Sequence, residues 1–208
     1  MVRILMFSLV SLFIISCSKD DDTIVEETAV PDFSIPLAVG NYWIYQTYTE
    51  DMNGDLQPNS SPDSMFISGM QKVDEEEYYA ITGFSVGSVV GVTLVKDSLG
   101  YLVNDSGDIL YSPEETDEVL FEQTFPISND ANIYVAYTAE SDVAIETPAG
   151  SFDTRMIVGT VDFSETIIDC ENQNLSHYAE GVGRVREELF YASNCRVVYR
   201  ELLRYNIQ

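Results

Sequence analysis

Apolar and polar residues alternate with a period of two along most of the chain, which sets successive side chains on opposite faces of a strand. Runs rich in Val, Ile, Thr, Tyr and Phe, bounded by turn residues, predict a first strand that begins within 36–45 and runs to a turn at 53–54, then strands over 64–73, 78–84, 89–96, 101–104, 108–111, 119–125, 133–139, 143–146, 152–163, 177–180, 184–192 and 196–207. Tyr42-Trp43-Ile44-Tyr45 in the first strand places large side chains on both faces and predicts cover on both sides at this end. Asn53-Gly54 reads as a hairpin turn. In Asn104-Asp105-Ser106-Gly107-Asp108, Gly107 takes the left-handed position, pairing Tyr101 with Tyr111 and Val103 with Ile109. Ser112-Pro113-Glu114-Glu115 offers a capping serine, a proline in the first helical position and an acid three residues after the cap. It predicts one short helix near 113–118.

The last two strands carry a register. Folding about Ser193-Asn194 sets Glu187 opposite Arg200, Arg186 opposite Glu201, Phe190 opposite Val197 and Val185 opposite Leu202. Two opposite-charge pairs and two apolar pairs agree on it, each worth roughly 0.2–1 kcal/mol. Arg196, Arg200 and Arg204 recur every four residues, but the β-branched and aromatic content around them favours a strand over a helix. The fold class is therefore all-β: an antiparallel meander. A sheet of so many strands must curl or close, giving a curled sheet or half-open barrel, with a two-sheet sandwich as the second reading.

The N-terminus breaks the alternation. Arg3 precedes an uncharged apolar stretch from Ile4 to Ile15, a signal-peptide pattern too short to span a bilayer comfortably. Its end, Ile14-Ile15-Ser16-Cys17, resembles the lipobox of bacterial lipoproteins, in which the cysteine is acylated and becomes the mature N-terminus. Ser18-Lys19-Asp20-Asp21-Asp22 follows, and resembles the surface-export signal of Bacteroidota lipoproteins. The resemblances imply attachment to the outer membrane by lipid at Cys17, with display on the cell surface; an acidic tether on the periplasmic face is the alternative. Domain boundaries follow: 1–17 signal peptide, 18–35 acidic tether, 36–208 a single β domain.

Charge narrows the partners. The chain has 10 Lys+Arg against 35 Asp+Glu, a formal charge of −25. Such a field repels nucleic acid and anionic head groups, so neither is an expected partner. With Cys17 given to lipid, Cys170 and Cys195 remain, an even pair in a chain that leaves the reducing cytoplasm. A Cys170–Cys195 disulfide is the expectation, and two buried free thiols are the other reading.

Three stretches together, Gly40-Asn41-Tyr42-Trp43-Ile44-Tyr45, Thr147-Pro148-Ala149-Gly150-Ser151-Phe152 and Tyr178-Ala179-Glu180-Gly181-Val182-Gly183-Arg184-Val185, resemble a broad set of uncharacterised Bacteroidota outer-membrane and surface lipoproteins. Those are similar in turn to the curled-sheet carriers that shuttle lipoproteins across the periplasm. The motifs are structural. Pro148-Ala149-Gly150 reads as a turn, and Gly181 and Gly183 permit a bend or a close backbone approach, to a ligand on the sharper reading.

Catalytic chemistry finds little support. His177 is the sole histidine, and no Gly-rich phosphate loop is present. Asp51-Met52-Asn53-Gly54-Asp55 begins like a calcium loop, but lacks both the glycine after the third ligand and a closing glutamate. The expectation is a non-catalytic lipoprotein without a cofactor or metal. Its function is to hold an apolar or glycan-like ligand on the concave face of the sheet, near Trp43, Tyr45, Tyr48, Gly181 and Gly183, in a pocket of about 300–1,000 Å³. The competing class is a structural or accessory lipoprotein with a filled interior and an envelope protein as partner.

Overall fold

In a computed structural model the described residues are 35–50, 54–59, 61–85, 88–126, 132–163, 173–191 and 196–208. All regular structure among them is β: β1 Tyr42–Glu50, β2 Leu56–Pro58, β3 Asp63–Val73, β4 Glu76–Ser85, β5 Ser88–Ser98, β6 Tyr101–Asn104, β7 Ile109–Tyr111, β8 Thr116–Pro126, β9 Asn132–Thr147, β10 Gly150–Phe163, β11 Gln173–Ala179, β12 Gly183–Tyr191 and β13 Arg196–Asn206. They form one antiparallel sheet in the order β7-β6-β5-β4-β3-β1-β13-β12-β11-β10-β9-β8, with β2 added to the far end of β1. The sandwich reading is therefore set aside.

Connectivity dictates the curvature. β7 and β8 stand at opposite edges of this order, yet only residues 112–115 join them. So short a link spans at most about 17 Å, at roughly 3.3–3.6 Å per residue. The sheet must roll until its two edges nearly meet, and it forms an almost closed barrel. Packing across the interior agrees: Val95, Leu102 and Tyr111 from β5–β7 share a buried cluster with Ala139, Ile157 and Tyr178 from β9–β11. The rings of Tyr111 and Tyr178 lie 5.2 Å apart.

The seam is also where the predicted helix fails. Ser112 Oγ accepts a hydrogen bond from the Glu114 N–H at 3.2 Å and donates to the Glu114 carbonyl at 2.8 Å, making a local turn. β8 begins at Thr116, where pairing with Ala139 of β9 takes the backbone away from helical bonding. The cap signal is real but the link is too short to be anything except a bridge between edges.

Register follows the pattern closely. Arg186 faces Glu201, Glu187 faces Arg200 and Phe190 faces Val197, as the charge and apolar pairing requires. Val103 faces Ile109 with Gly107 at φ 89°, but an irregularity beside that pair sets Leu102, not Tyr101, opposite Tyr111. The two expected strands over 133–146 are one continuous β9, and Pro148-Ala149 turns it into β10. The tip of this hairpin leaves the barrel wall and crosses to β13, where the Ala149 N–H bonds the Leu202 carbonyl at 3.1 Å. Phe152 meets Tyr205 edge-on at 6.3 Å. Asp51–Asn53 of the first turn lie outside the described residues; Glu50 pairs with Leu56, so the hairpin stands, with a longer loop than an Asn-Gly turn needs. Cys17, the acidic stretch, Cys170 and Cys195 also lie outside the described residues.

Candidate functional site

β1 divides the barrel. Its alternation sends Trp43, Tyr45 and Thr47 to the interior and Tyr48 to the outer face, where Tyr48 stands opposite Tyr199. Of the three aromatics singled out on this strand, two are therefore interior and buried. Trp43 donates its indole Nε1–H to the Val182 carbonyl at 2.6 Å, and Tyr45 donates its hydroxyl to the Arg184 carbonyl at 2.8 Å. These bonds tie β1 to β12 across the interior and satisfy polar atoms that would be costly to bury alone.

Gly181 and Gly183 take φ of 65° and 97°, the left-handed region that favours glycine. They do different things. A side chain at Gly181 would meet open space, whereas one at Gly183 would rest on the Trp43 ring 3.5–3.7 Å away. The close approach expected of these glycines exists, and the partner at Gly183 is the protein's own tryptophan.

Below Tyr45, toward the end where β1 begins, lies an interior cavity of about 130 Å³. Ile35 and Leu37, which precede β1, enter it from that end and face Val95, Leu102, Leu110 and Tyr178. The cavity is well under the 300–1,000 Å³ typical of ligand pockets, because aromatic side chains and this entering segment occupy the space a half-open barrel would leave.

Above Tyr45 the interior is charged. Glu187 ion-pairs with Arg184 through one oxygen and takes a 3.1 Å hydrogen bond from Arg200 Nη1 on the other. The Arg200 guanidinium lies over the Tyr45 ring at 4.4 Å. Its Nε is 3.9 Å from Asp63 Oδ2, to which Thr47 donates at 3.3 Å. Arg184 also donates to the Met65 sulfur at 3.3 Å. The layer runs along one side of the barrel, over the neighbouring strands β3, β1, β13 and β12. Burial pushes the Tyr45 phenol up to about 12, against the two arginines, so it stays a neutral donor. Burial works against the charged Arg184, but Glu187, Tyr178 and Tyr45 outweigh it and hold its proton more firmly than usual.

Past this layer the barrel opens into a mouth of about 250 Å³, larger than the cavity but still below the expected range of about 300–1,000 Å³. Phe84, Val90, Leu189, Tyr191 and Val198 form its walls, with Thr47, Asp63 and Arg200 at its floor. A third depression of about 370 Å³ lies where the crossing hairpin meets β11, but its rim is polar, and Arg155 there is already paired with Asp142 at 2.8 Å. Among the described residues no group of three or more His, Cys, Asp and Glu is placed to hold a metal ion.

The charged floor and the mouth were not singled out from the sequence. The register did pair Glu187 with Arg200, and that was the available signal; nothing local says that this pair faces inward while Arg186–Glu201, one residue along, faces outward.

No protein-family model matches the chain, and no curated protein matches it. Two solved structures share its fold. One is a candidate exported protein of Bacteroides fragilis with a YmcC-like fold, at TM-score 0.57 and 16% identity, covering 84% of this chain and 99% of that one. The other is a candidate lipoprotein of Parabacteroides distasonis, at TM-score 0.54 and 17% identity, covering 84% and 98%.

Proposed function

We propose that this chain is a non-catalytic, lipid-anchored protein of the cell envelope that binds a ligand at the mouth of its barrel. The observation that carries the reading is the mouth itself: apolar walls around a floor of Thr47, Asp63 and Arg200. Concave apolar surface with a few convergent polar groups is the usual form of a small-molecule site. The two fold neighbours, described as exported and as a lipoprotein, support an envelope location, and the lipobox resemblance at Cys17 supports the anchor.

Chain direction supports the orientation. The tether reaches the barrel at Ile35, at the end where β1 begins, whereas the mouth is formed at the opposite end by the finish of β1 and β12 and the start of β3 and β13. A barrel held from its entry end presents its mouth away from the membrane. Surface display by way of the acidic stretch 19–22, with an apolar or glycan-like ligand, is the specific form of this proposal.

The test is native mass spectrometry on protein released gently from its own membrane. A small molecule should co-purify with the chain and be lost from a Val198→Phe variant, in which the mouth is filled. A mass equal to the lipidated polypeptide alone in both proteins would favour an accessory lipoprotein instead. One observation favours that second reading: Val89 and Val92 are both exposed on β5, apolar surface suited to an envelope protein partner.

A further inference from the structure

We infer that the barrel wall has a side opening between β5 and β8, and that it takes a β-hairpin of a partner protein in which basic and apolar residues alternate. The inference goes beyond the mouth reading and does not rest on it.

The opening comes from unequal strands. β5 and β8 have 11 residues each, whereas β6 and β7, which stand between them around the barrel, have 4 and 3. The turn of the short pair is locked. Asn104 Oδ1 accepts from the Ser106 and Asp108 N–H groups at 3.0 and 2.8 Å, and Gly107 holds φ at 89°. β6 reaches only Val95–Ser98 of β5, so residues 88–94 pair on the β4 side alone. β8 pairs with β9 alone. Two strand edges therefore flank a gap. Alternate residues of an antiparallel strand turn N–H and C=O to each side, and among the described residues those of 88–94 and 119–126 have no backbone partner on the open side. Side chains report the same opening. A strand in a closed wall buries alternate residues, as β12 does, but residues 89–93 and 122–126 are exposed at every position.

Strand direction selects a hairpin. β5 and β8 run in opposite senses, and β6 and β7 below show room for two strands, about 14 Å for three strand spacings. A hairpin continues the antiparallel order at both edges, whereas a single strand would run parallel to one of them. Charge selects its composition. Residues 88–94, 104–109 and 116–126 hold Asp105, Asp108, Asp117, Glu118 and Glu122, with no lysine or arginine. A second copy would bring acids against acids, and so would this chain's own acidic stretch 18–34. Val89, Val92, Val119 and Phe125 are exposed on the same two strands and suit the apolar positions of the alternation.

The experiment is amide hydrogen exchange, read by NMR, on the full anchored chain in nanodiscs of zwitterionic lipid. The probe is a synthetic hairpin of about 12 residues, two strands of alternating lysine and valine joined by an asparagine–glycine turn. Before it is added, alternate amides in 88–94 and 119–126 should exchange freely. At nine-tenths occupancy they should slow about tenfold, while Val158 and Leu175 in the closed wall keep their rates. The same hairpin with glutamate for lysine should bind about tenfold or more weakly, and the double variant Glu118→Lys, Glu122→Lys should reverse that preference. N-methylating the probe's outward amides keeps its charge and should abolish protection, which separates strand pairing from charge attraction. Val198→Phe, which fills the mouth, should leave protection unchanged. Equal binding of the two hairpins, or protection by the N-methylated one, would overturn the inference. Protection before any probe is added would overturn it too, since the chain itself or a second copy would then cover the edges. Loss of protection in Val198→Phe would place the hairpin in the mouth and overturn it likewise. A lysine hairpin that fails while a small molecule still co-purifies would overturn this inference and leave the mouth standing.

Discussion

Replacing Glu187 by glutamine tests whether the charged layer is a structural floor. The substitution keeps the volume, so no cavity term arises, and it removes the one group that holds both Arg184 and Arg200. Breaking a buried pair by deleting one partner costs about 3–5 kcal/mol. Here the side chains are 10% exposed for Glu187, 17% for Arg200 and 21% for Arg184, so water recovers part of that cost. The glutamine carbonyl can still accept from one guanidinium, but its NH₂ then points at the other, forfeiting at least one charge-assisted bond worth ~1.5–3 kcal/mol. The two routes converge on about 3 kcal/mol. With a urea slope of roughly 2 kcal/mol per molar for a domain of this size, the midpoint should fall by about 1.5 M at unchanged slope. Glu76→Gln, which removes an exposed partner of Lys96, should leave the midpoint where it is. Adding Arg200→Met to Glu187→Gln should recover part of the loss, because an apolar side chain over Tyr45 needs no counter-charge. A single-variant shift under roughly 0.5 M, about 1 kcal/mol at that slope, would refute the layer as a stability element.

Other expected outcomes follow from separate parts of the molecule. His177 is buried beside Arg186, and burial first, then that positive charge, lowers its pKa from 6.5 to about 4. The unfolded chain therefore binds the extra proton between these values, so stability is full above pH 6.5 and is lost on acidification toward pH 4, by up to about 3 kcal/mol; urea midpoints across this range should slope in the wild type and flatten in His177→Phe. Gly159→Ala should cost about 1–3 kcal/mol, because its side chain would meet the Tyr137 ring at 2.5 Å while that ring is stacked on Phe121 at 4.0 Å. Gly181→Ala, with open space around it, should cost only the left-handed backbone term of about 1–2 kcal/mol, and thermal melts should rank the two variants accordingly. Cys17→Ala should abolish incorporation of labelled fatty acid and release the protein from membranes, and unchanged labelling would remove the anchor. Alkylation of the unreduced, unfolded chain should leave Cys170 and Cys195 unmodified by mass if the pair is bridged.

What could be read from the sequence was whatever the chain states locally and twice. Strand, turn and register each had two signals in agreement, alternation plus turn chemistry, or charge pairs plus apolar pairs, and β12–β13 formed in the register those pairs dictate. The seam had only one, a capping pattern at Ser112, and its meaning was reversed by a constraint twelve strands wide: edges of a sheet that happen to be four residues apart in sequence. The site was obscured for a different physical reason. Alternation fixes that Glu187 and Arg186 face opposite ways, but the sense of curl decides which is inside, and curl is a property of the whole sheet. Apolar-in, polar-out patterning would have assigned the interior to Val185 and Leu189, and it does include them; Glu187 lies on the same face between them, and it comes with Arg200 and Asp63. A charged residue flanked at both second neighbours by inward-facing apolar residues is thus the local trace of an interior polar layer. The same trace appears on β13, where Arg200 lies between Val198, on the mouth wall, and Leu202, in the buried core. Two such residues placed opposite each other by register locate the floor of the mouth without reference to any pocket.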